Sequence, residues 1–106
     1  MGASVKIRYE RRYPATVNTA EEADTAAATA AEVVGEGNVD RDLTPTMGSE
    51  DFAFMLQAKP GAYVFIGNGK NGAGLHNAHY DFNDEILPIG ASYWARLVER
   101  VLAKRA

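Results

Sequence analysis

An α/β fold of the mixed, α+β kind is what this sequence predicts, and three patterns carry that prediction. Residues 4–12 alternate apolar and polar side chains. Residues 62–66 form a short run of strand formers, and two longer stretches repeat apolar residues at helical spacing. The 106 residues fit a single domain, and a chain of that size buries roughly two thirds of its unfolded surface.

The first strand is expected over Ser4 to Arg12. Val5, Ile7 and Tyr9 face one way while Lys6, Arg8 and Glu10 face the other, which is the period of two of a half-buried strand. Tyr13-Pro14 ends it, because proline lacks the ladder donor. Thr19-Ala20-Glu21-Glu22 reads as a capping box, with the Thr19 hydroxyl taking an amide of the first turn and Glu22 reaching back. The helix it opens runs to Val34, with Ala23, Ala27, Ala30 and Val34 as the buried stripe. Gly35 and Gly37 stop it.

Residues 39–46 read as an irregular link. Met47-Gly48-Ser49-Glu50-Asp51 then opens a short helix, with Ser49 as N-cap and two acids at the positive end of the helix dipole. Phe52, Phe54, Met55 and Leu56 supply its apolar mass, and Lys59-Pro60-Gly61 breaks it. Residues 62–66 lack polar alternation, which predicts a buried central strand. Gly67 to Gly74 is a glycine-rich loop. The last helix begins near Pro88, a residue tolerated in a first turn. Ile89, Tyr93, Leu97 and Val101 recur at one-turn spacing, with Trp94, Val98 and Leu102 beside them, and Lys104 and Arg105 suit its negative end.

Composition narrows the function classes. Hydrophobic residues make up 46% and charged residues 24%, the balance of a globular chain. A net charge of -3 gives no basic stripe for nucleic acid. The absence of cysteine excludes disulfides, thiolate metal clusters and a thiol nucleophile. No apolar run suggests a signal peptide or a membrane span. Met1-Gly2 starts like a myristoylation signal, but Lys6 stands where Ser or Thr is needed. The default expectation is a soluble cytoplasmic chain without nucleic-acid or membrane partners.

Three stretches carry candidate chemistry. Gly67-Asn68-Gly69-Lys70-Asn71-Gly72 fits G-x-G-x-x-G after an expected strand, yet no helix start follows, so a flexible turn is the better reading. His76 and His79 are the only histidines, and neutral imidazole is the commonest metal ligand at neutral pH. The carboxylates and amides around them suit either a metal or a hydrogen-bonded structural histidine. A zinc site takes three or four protein ligands, and this segment offers one. Gly48-Ser49-Glu50-Asp51 reads first as a helix cap and second as a substrate contact or a further metal carboxylate. Ser49 has no triad partners.

The order of these blocks is more specific than any one of them. Met47-Gly48-Ser49-Glu50-Asp51-Phe52-Ala53, Pro60-Gly61-Ala62-Tyr63-Val64-Phe65-Ile66-Gly67, Leu75-His76-Asn77, Tyr80-Asp81-Phe82-Asn83-Asp84 and Leu87-Pro88-Ile89-Gly90-Ala91 follow one another along the chain. From about Val5 onward the sequence resembles the C-terminal part of the metal-dependent amidohydrolases typified by hippurate hydrolase, N-acyl-amino-acid amidohydrolase and the auxin-conjugate hydrolases. The resemblance implies a metallo-aminopeptidase-like α/β catalytic domain with an inserted lid that often forms a homodimer contact. It also implies cleavage of N-acyl-amino-acid amides by metal-activated water, with a glutamate as general base and zinc or manganese as the divalent metal. On that basis residues 1–18 correspond to the last strand of the lid and the hinge, and residues 19–106 to the C-terminal part of the catalytic domain.

The same resemblance makes His76 a metal ligand, assigns no metal role to His79, and places Gly48, Ser49, Glu50 and Asn77 along the substrate cleft. It puts the general base and the other ligands in an N-terminal part that precedes the matching region. The expectation is therefore a segment that is inactive alone, holds no metal tightly, self-associates through its open strand edges as a homo-oligomer, and works with the missing N-terminal part. Two alternatives stand beside it: a non-catalytic binding or scaffold module derived from the fold, and a small hydrolase assembled across an oligomer.

Overall fold

Thr19 opens the first helix, by a different route from the capping box. The computed structural model describes residues 2–102. Helix α1 spans Ala20–Val34, with Thr19 as an extended N-cap whose side chain makes no cap bond. The Thr19 hydroxyl instead accepts from the Gly61 amide at 2.7 Å and donates to the Gly61 carbonyl at 3.0 Å, and the Thr19 amide reaches the same carbonyl at 3.0 Å. One residue earlier, Asn18 repeats the pattern on Tyr63. Its Oδ1 accepts from the Tyr63 amide at 2.8 Å and its Nδ2 donates to the Tyr63 carbonyl at 3.0 Å.

Alanine-rich α1 forms on propensity and ends at Gly35, whose φ of 86° is open to glycine at little steric cost. Its buried stripe is rotated from the expected one. Ala26 and Thr29 are buried, and Ala23, Ala27, Ala30 and Val34 lie half-buried at the margin. Thr29 can sit at 0% exposure because its hydroxyl donates back to the Thr25 carbonyl at 2.8 Å. A 3-10 turn at Glu36–Asn38 follows. Helix α2 spans Phe52–Ala58, and its expected break at Lys59-Pro60-Gly61 is where it stops. A second 3-10 turn, Asp84–Ile86, leads directly into helix α3, Leu87–Val101, with Pro88 in the first turn.

Helices α1 and α3 pack on each other. Tyr93, 8% exposed, is the largest buried side chain, and Leu97 lies half-buried one turn on. Glu32 ties the rim, pairing with Arg96 at 3.2 Å and with Arg100. The rest of the expected α3 stripe remains open: Trp94 is 62%, Val98 54% and Val101 62% exposed. Lys104 and Arg105, expected at the end of this helix, lie outside the described residues.

Neither expected strand forms, and no strand is present among the described residues. Val5, Ile7 and Tyr9 are 80 to 85% exposed, so the alternation separates no inner face from an outer one. A strand needs a second backbone beside it to complete its ladder, and residues 4–12 have none within the described chain. Residues 62–66 are likewise irregular; the Tyr63 backbone bonds Asn18 in place of a neighbouring strand, and Gly61 just before them bonds Thr19. Aromatic contacts join this segment to α2, with Phe52 and Tyr63 rings 5.5 Å apart and Tyr63 and Phe65 5.3 Å apart.

The outcome is an open shape. The chain exposes 9610 Å², against roughly 5,800 Å² for a compact protein of its mass. Its radius of gyration is 18.7 Å, against about 13 Å for a folded domain of this length. The buried residues are few: Ala26 and Thr29 on α1, Tyr93 on α3 and Ala53 on α2 among the described residues. Tyr93→Ala should cost about 3 kcal/mol, while its exposed neighbour Trp94→Ala should cost less than about 1 kcal/mol; urea unfolding of the two variants measures the contrast.

Candidate functional site

The histidine segment is a loop with a fixed base. Asn68, at its start, donates from Nδ2 to the Asp81 carbonyl and accepts at Oδ1 from the Asn83 amide, each at 2.8 Å. Asn83 continues the chain of contacts, accepting from the Glu85 amide at 3.1 Å as cap of the turn before α3. Within the loop, His76 is the one non-glycine residue with positive φ among the described residues, at 62°. This left-handed region disfavours side chains with a Cβ, although histidine visits it more often than most. Asn77 fixes the next turn. Its Oδ1 accepts from the His79 amide at 2.9 Å and its carbonyl from the Tyr80 amide at 3.0 Å. The exposed imidazole of His76 suits a single metal-ligand bond.

Residues 67–72 enter this loop without any helix behind them, as the weak nucleotide fingerprint required for its rejection. Of the three fingerprint glycines only Gly69 has positive φ, at 98°.

At the start of α2 the roles differ from the expected ones. Asp51, not Ser49, occupies the N-cap position, and its side chain makes no cap bond. Glu50 takes over: its Oε1 accepts from the Phe52 amide at 3.1 Å. That amide bond, helped by hydrogen bonds from Asp51 and Tyr63, holds the Glu50 carboxyl below its ordinary range. The same carboxylate beside the Tyr63 hydroxyl pushes that phenol upward. A glutamate one residue before the cap can loop back to the second amide ahead, which an N-cap search confined to Ser, Thr, Asp and Asn overlooks.

Gly48 is open, with nothing within 4 Å of where a Cβ would stand. Ser49 is exposed and lines a shallow recess with Tyr9 to Tyr13. No residue of the histidine loop lines that recess. The two candidate regions are thus separate pieces, each built from its own local contacts. Among the described residues no group of three or more His, Cys, Asp and Glu side chains is placed to hold a metal ion. His76 fits a divalent metal as one ligand of several. Sequence reasoning passed over Asn68, which it took as part of a flexible glycine turn, and Asn18, whose place just before a helix start was its only signal.

Comparison with known proteins bears on what such a loop belongs to. A match to peptidase family M20/M25/M40 covers residues 3–100. The chain belongs to that family. It is 41% identical over 98 residues to the hippurate hydrolase of Campylobacter jejuni, a match spanning 92% of this chain and 25% of that protein. It is 40% identical over 65 residues to the IAA-amino acid hydrolase ILR1-like 4 of Arabidopsis thaliana, spanning 58% of this chain and 15% of the other. Thermostable carboxypeptidase 1 of Saccharolobus solfataricus is 28% identical over 95 residues, with 85% and 23% covered. The chain therefore spans about a quarter or less of the length of these relatives. No solved structure gives a significant match. Enzymes of this family are metal-dependent, and no helix among the described residues is long and apolar enough to cross a membrane.

Two measurements test the local geometry. The depressed Glu50 carboxyl contributes stability that is present above the ordinary carboxylate value of 4.5 and is lost as pH falls through its folded value. The raised Tyr63 phenol contributes stability present below 10.0 and lost as pH rises beyond it. Glu50→Gln should flatten the acid side of the stability profile and bring the Tyr63 titration, followed by absorbance, down toward 10.0. At position 76, Val should be less stable than Gly by about 1–2 kcal/mol, since only glycine accepts this backbone without strain; chemical denaturation of His76→Val and His76→Gly compares them.

Proposed function

We propose that this chain is the C-terminal segment of an N-acyl-amino-acid amidohydrolase, and that it supplies one metal ligand, His76, to a catalytic centre completed by further polypeptide. The observation that carries the reading is the exposed His76 imidazole at the left-handed turn of a built loop, in a chain where no group of three or more His, Cys, Asp and Glu among the described residues is placed to hold a metal by itself. The relatives named as hydrolases of hippurate and of IAA-amino acids support the substrate class, an acyl group in amide linkage to an amino acid.

In this reading a divalent metal, zinc or manganese, polarises the amide carbonyl and lowers the pKa of water. His76 orients one coordination position. Asn77 holds the turn behind it through the His79 and Tyr80 amides. Gly48, Ser49 and Glu50 border the substrate, with Glu50 keeping the segment in register through its bond to Phe52. The general base comes from the completing polypeptide. Residues 1–18 belong to a lid domain as its last strand and hinge, and residues 19–106 to an α/β catalytic domain. There residues 4–12 and 62–66 gain the neighbours that make them strands. The large exposed apolar surface supports this, because Trp94, Val98, Val101, Val5 and Ile7 are left uncovered within the chain. Homo-oligomers form through the lid edge.

Hydrolysis of N-benzoylglycine with added zinc or manganese tests the proposal. The chain alone should show none. Adding the portion of the Campylobacter jejuni enzyme that this chain does not cover should restore turnover, and His76→Ala should reduce the restored rate at least about 100-fold, the loss expected for a metal ligand. Rapid turnover by the chain alone, abolished in His76→Ala, would overturn it in favour of a self-sufficient small hydrolase. Complementation that is indifferent to His76→Ala would remove the ligand assignment.

A further inference from the structure

We propose that Asn68 is a positioning residue whose side-chain amide latches the loop of residues 69–82 at its base and thereby holds His76 in its left-handed conformation. The functional meaning of the latch rests on His76 being a metal ligand; the latch itself rests on geometry alone.

Asn68 uses both halves of its amide on main-chain groups two residues apart, the Asp81 carbonyl and the Asn83 amide, 13 and 15 residues away in sequence. The pair of bonds is what a neighbouring strand would supply, delivered by one side chain. Just past it the chain turns sharply. Gly69 sits at φ 98°, and a Cβ there would come within 3.6 Å of the Asn83 side chain. On the far side Asn83 is already bound to the Glu85 amide and so to the start of α3. The loop's end is therefore anchored to a helix, and Asn68 fastens its beginning to the same anchor.

The interior of the loop has little of its own to hold it. Gly69, Gly72 and Gly74 lower its stiffness, and freeing the base restores the chain entropy that closure removed. His76 is the residue with most to lose. Its positive φ is disfavoured for any residue with a Cβ and persists only when the surroundings impose it. Asn77 restrains it from the C-terminal side. From the N-terminal side the restraint is loop closure, which is the work of Asn68.

The test compares the chain with Asn68→Ala and Asn68→Asp. Aspartate keeps the acceptor for Asn83 but sets a carboxylate oxygen against the Asp81 carbonyl, so it too should open the loop base. Lys70 is the one lysine or arginine between Lys59 and Arg96, so trypsin cleavage after it reports loop opening. Asn68→Ala should raise amide exchange at Asn83 and cleavage after Lys70 about tenfold, the size expected for losing backbone–side-chain bonds at a locally opening segment. Exchange in α1 should stay unchanged. The strong NOE between the His76 amide and its own Hα, a mark of positive φ, should fade. Zinc titration followed on the His76 ring resonances should need several-fold more metal. Unchanged exchange and cleavage in Asn68→Ala would overturn the latch. An open loop with the His76 NOE intact would overturn the positioning role. If alanine also loosens α1, the aspartate variant decides by the same two readouts. Zinc that leaves the His76 ring of the parent chain undisturbed even in large excess would sink the ligand assignment while leaving the latch to stand on exchange and cleavage.

Discussion

Side chains standing in for a missing backbone neighbour are the constraint on which this structure depends. The segment from Gly61 to Asn68 runs between α2 and the histidine loop, and it is held at both ends by amide and hydroxyl groups. Thr19 and Asn18 close on Gly61 and Tyr63 at one end. Asn68 closes on Asp81 and Asn83 at the other. Most of these bonds lie at exposed backbone, so their contribution is to fix the path of the chain, and each of these residues offers both a donor and an acceptor. Without them α1, α2 and α3 would be joined by connectors with no fixed path, and the His76 loop would have no fixed base.

The core is small enough that each member matters. Among the described residues Ala26, Thr29, Ala53 and Tyr93 are the buried ones, and one of the four is polar. Thr29 is admitted because it hydrogen-bonds within its own helix, which leaves no buried polar side-chain atom without a partner among the described residues. The ion pairs of Glu32 with Arg96 and Arg100 lie half in solvent, where such pairs add little stability. Aromatic contacts do more of the organising. Phe52, Tyr63 and Phe65 form a run that carries the α2 segment onto residues 61–66, and Gly61 permits this, since a Cβ there would come within 3.3 Å of Leu56.

What could be read from the sequence follows from how local each signal is. The helices were legible because capping position, alanine content, glycine stops and the Pro88 start all act within a few residues of where they are read. The family was legible from the ordered blocks. Strand formation at residues 4–12 and 62–66 was not decidable in the same way. Alternation shows that a strand is possible, but the ladder depends on a neighbour that local sequence does not specify. The N-cap of α2 was misread for a related reason: Ser49 has the right chemistry, but Glu50 has the reach to the Phe52 amide. Asn68 was hidden in a glycine-rich stretch, where a residue's long-range partners leave no periodic trace.

The geometry of the histidine loop bears on how a metal site can be divided between parts of a polypeptide. A ligand contributed by a floppy loop must be ordered at the moment of binding, and that ordering subtracts from affinity. Here the ordering is already done. The loop base is fastened to the start of α3, the turn after His76 is fixed by Asn77, and the His76 backbone is set in a conformation it would not choose alone. A single imidazole held this way remains a weak site by itself, because zinc-type affinity comes from three or four ligands acting together. In the proposed function its value lies in arriving pre-oriented for the other ligands. Local rigidity at His76 and openness elsewhere in the chain are therefore compatible: large apolar side chains lie exposed, while the backbone of the proposed ligand is restrained from within.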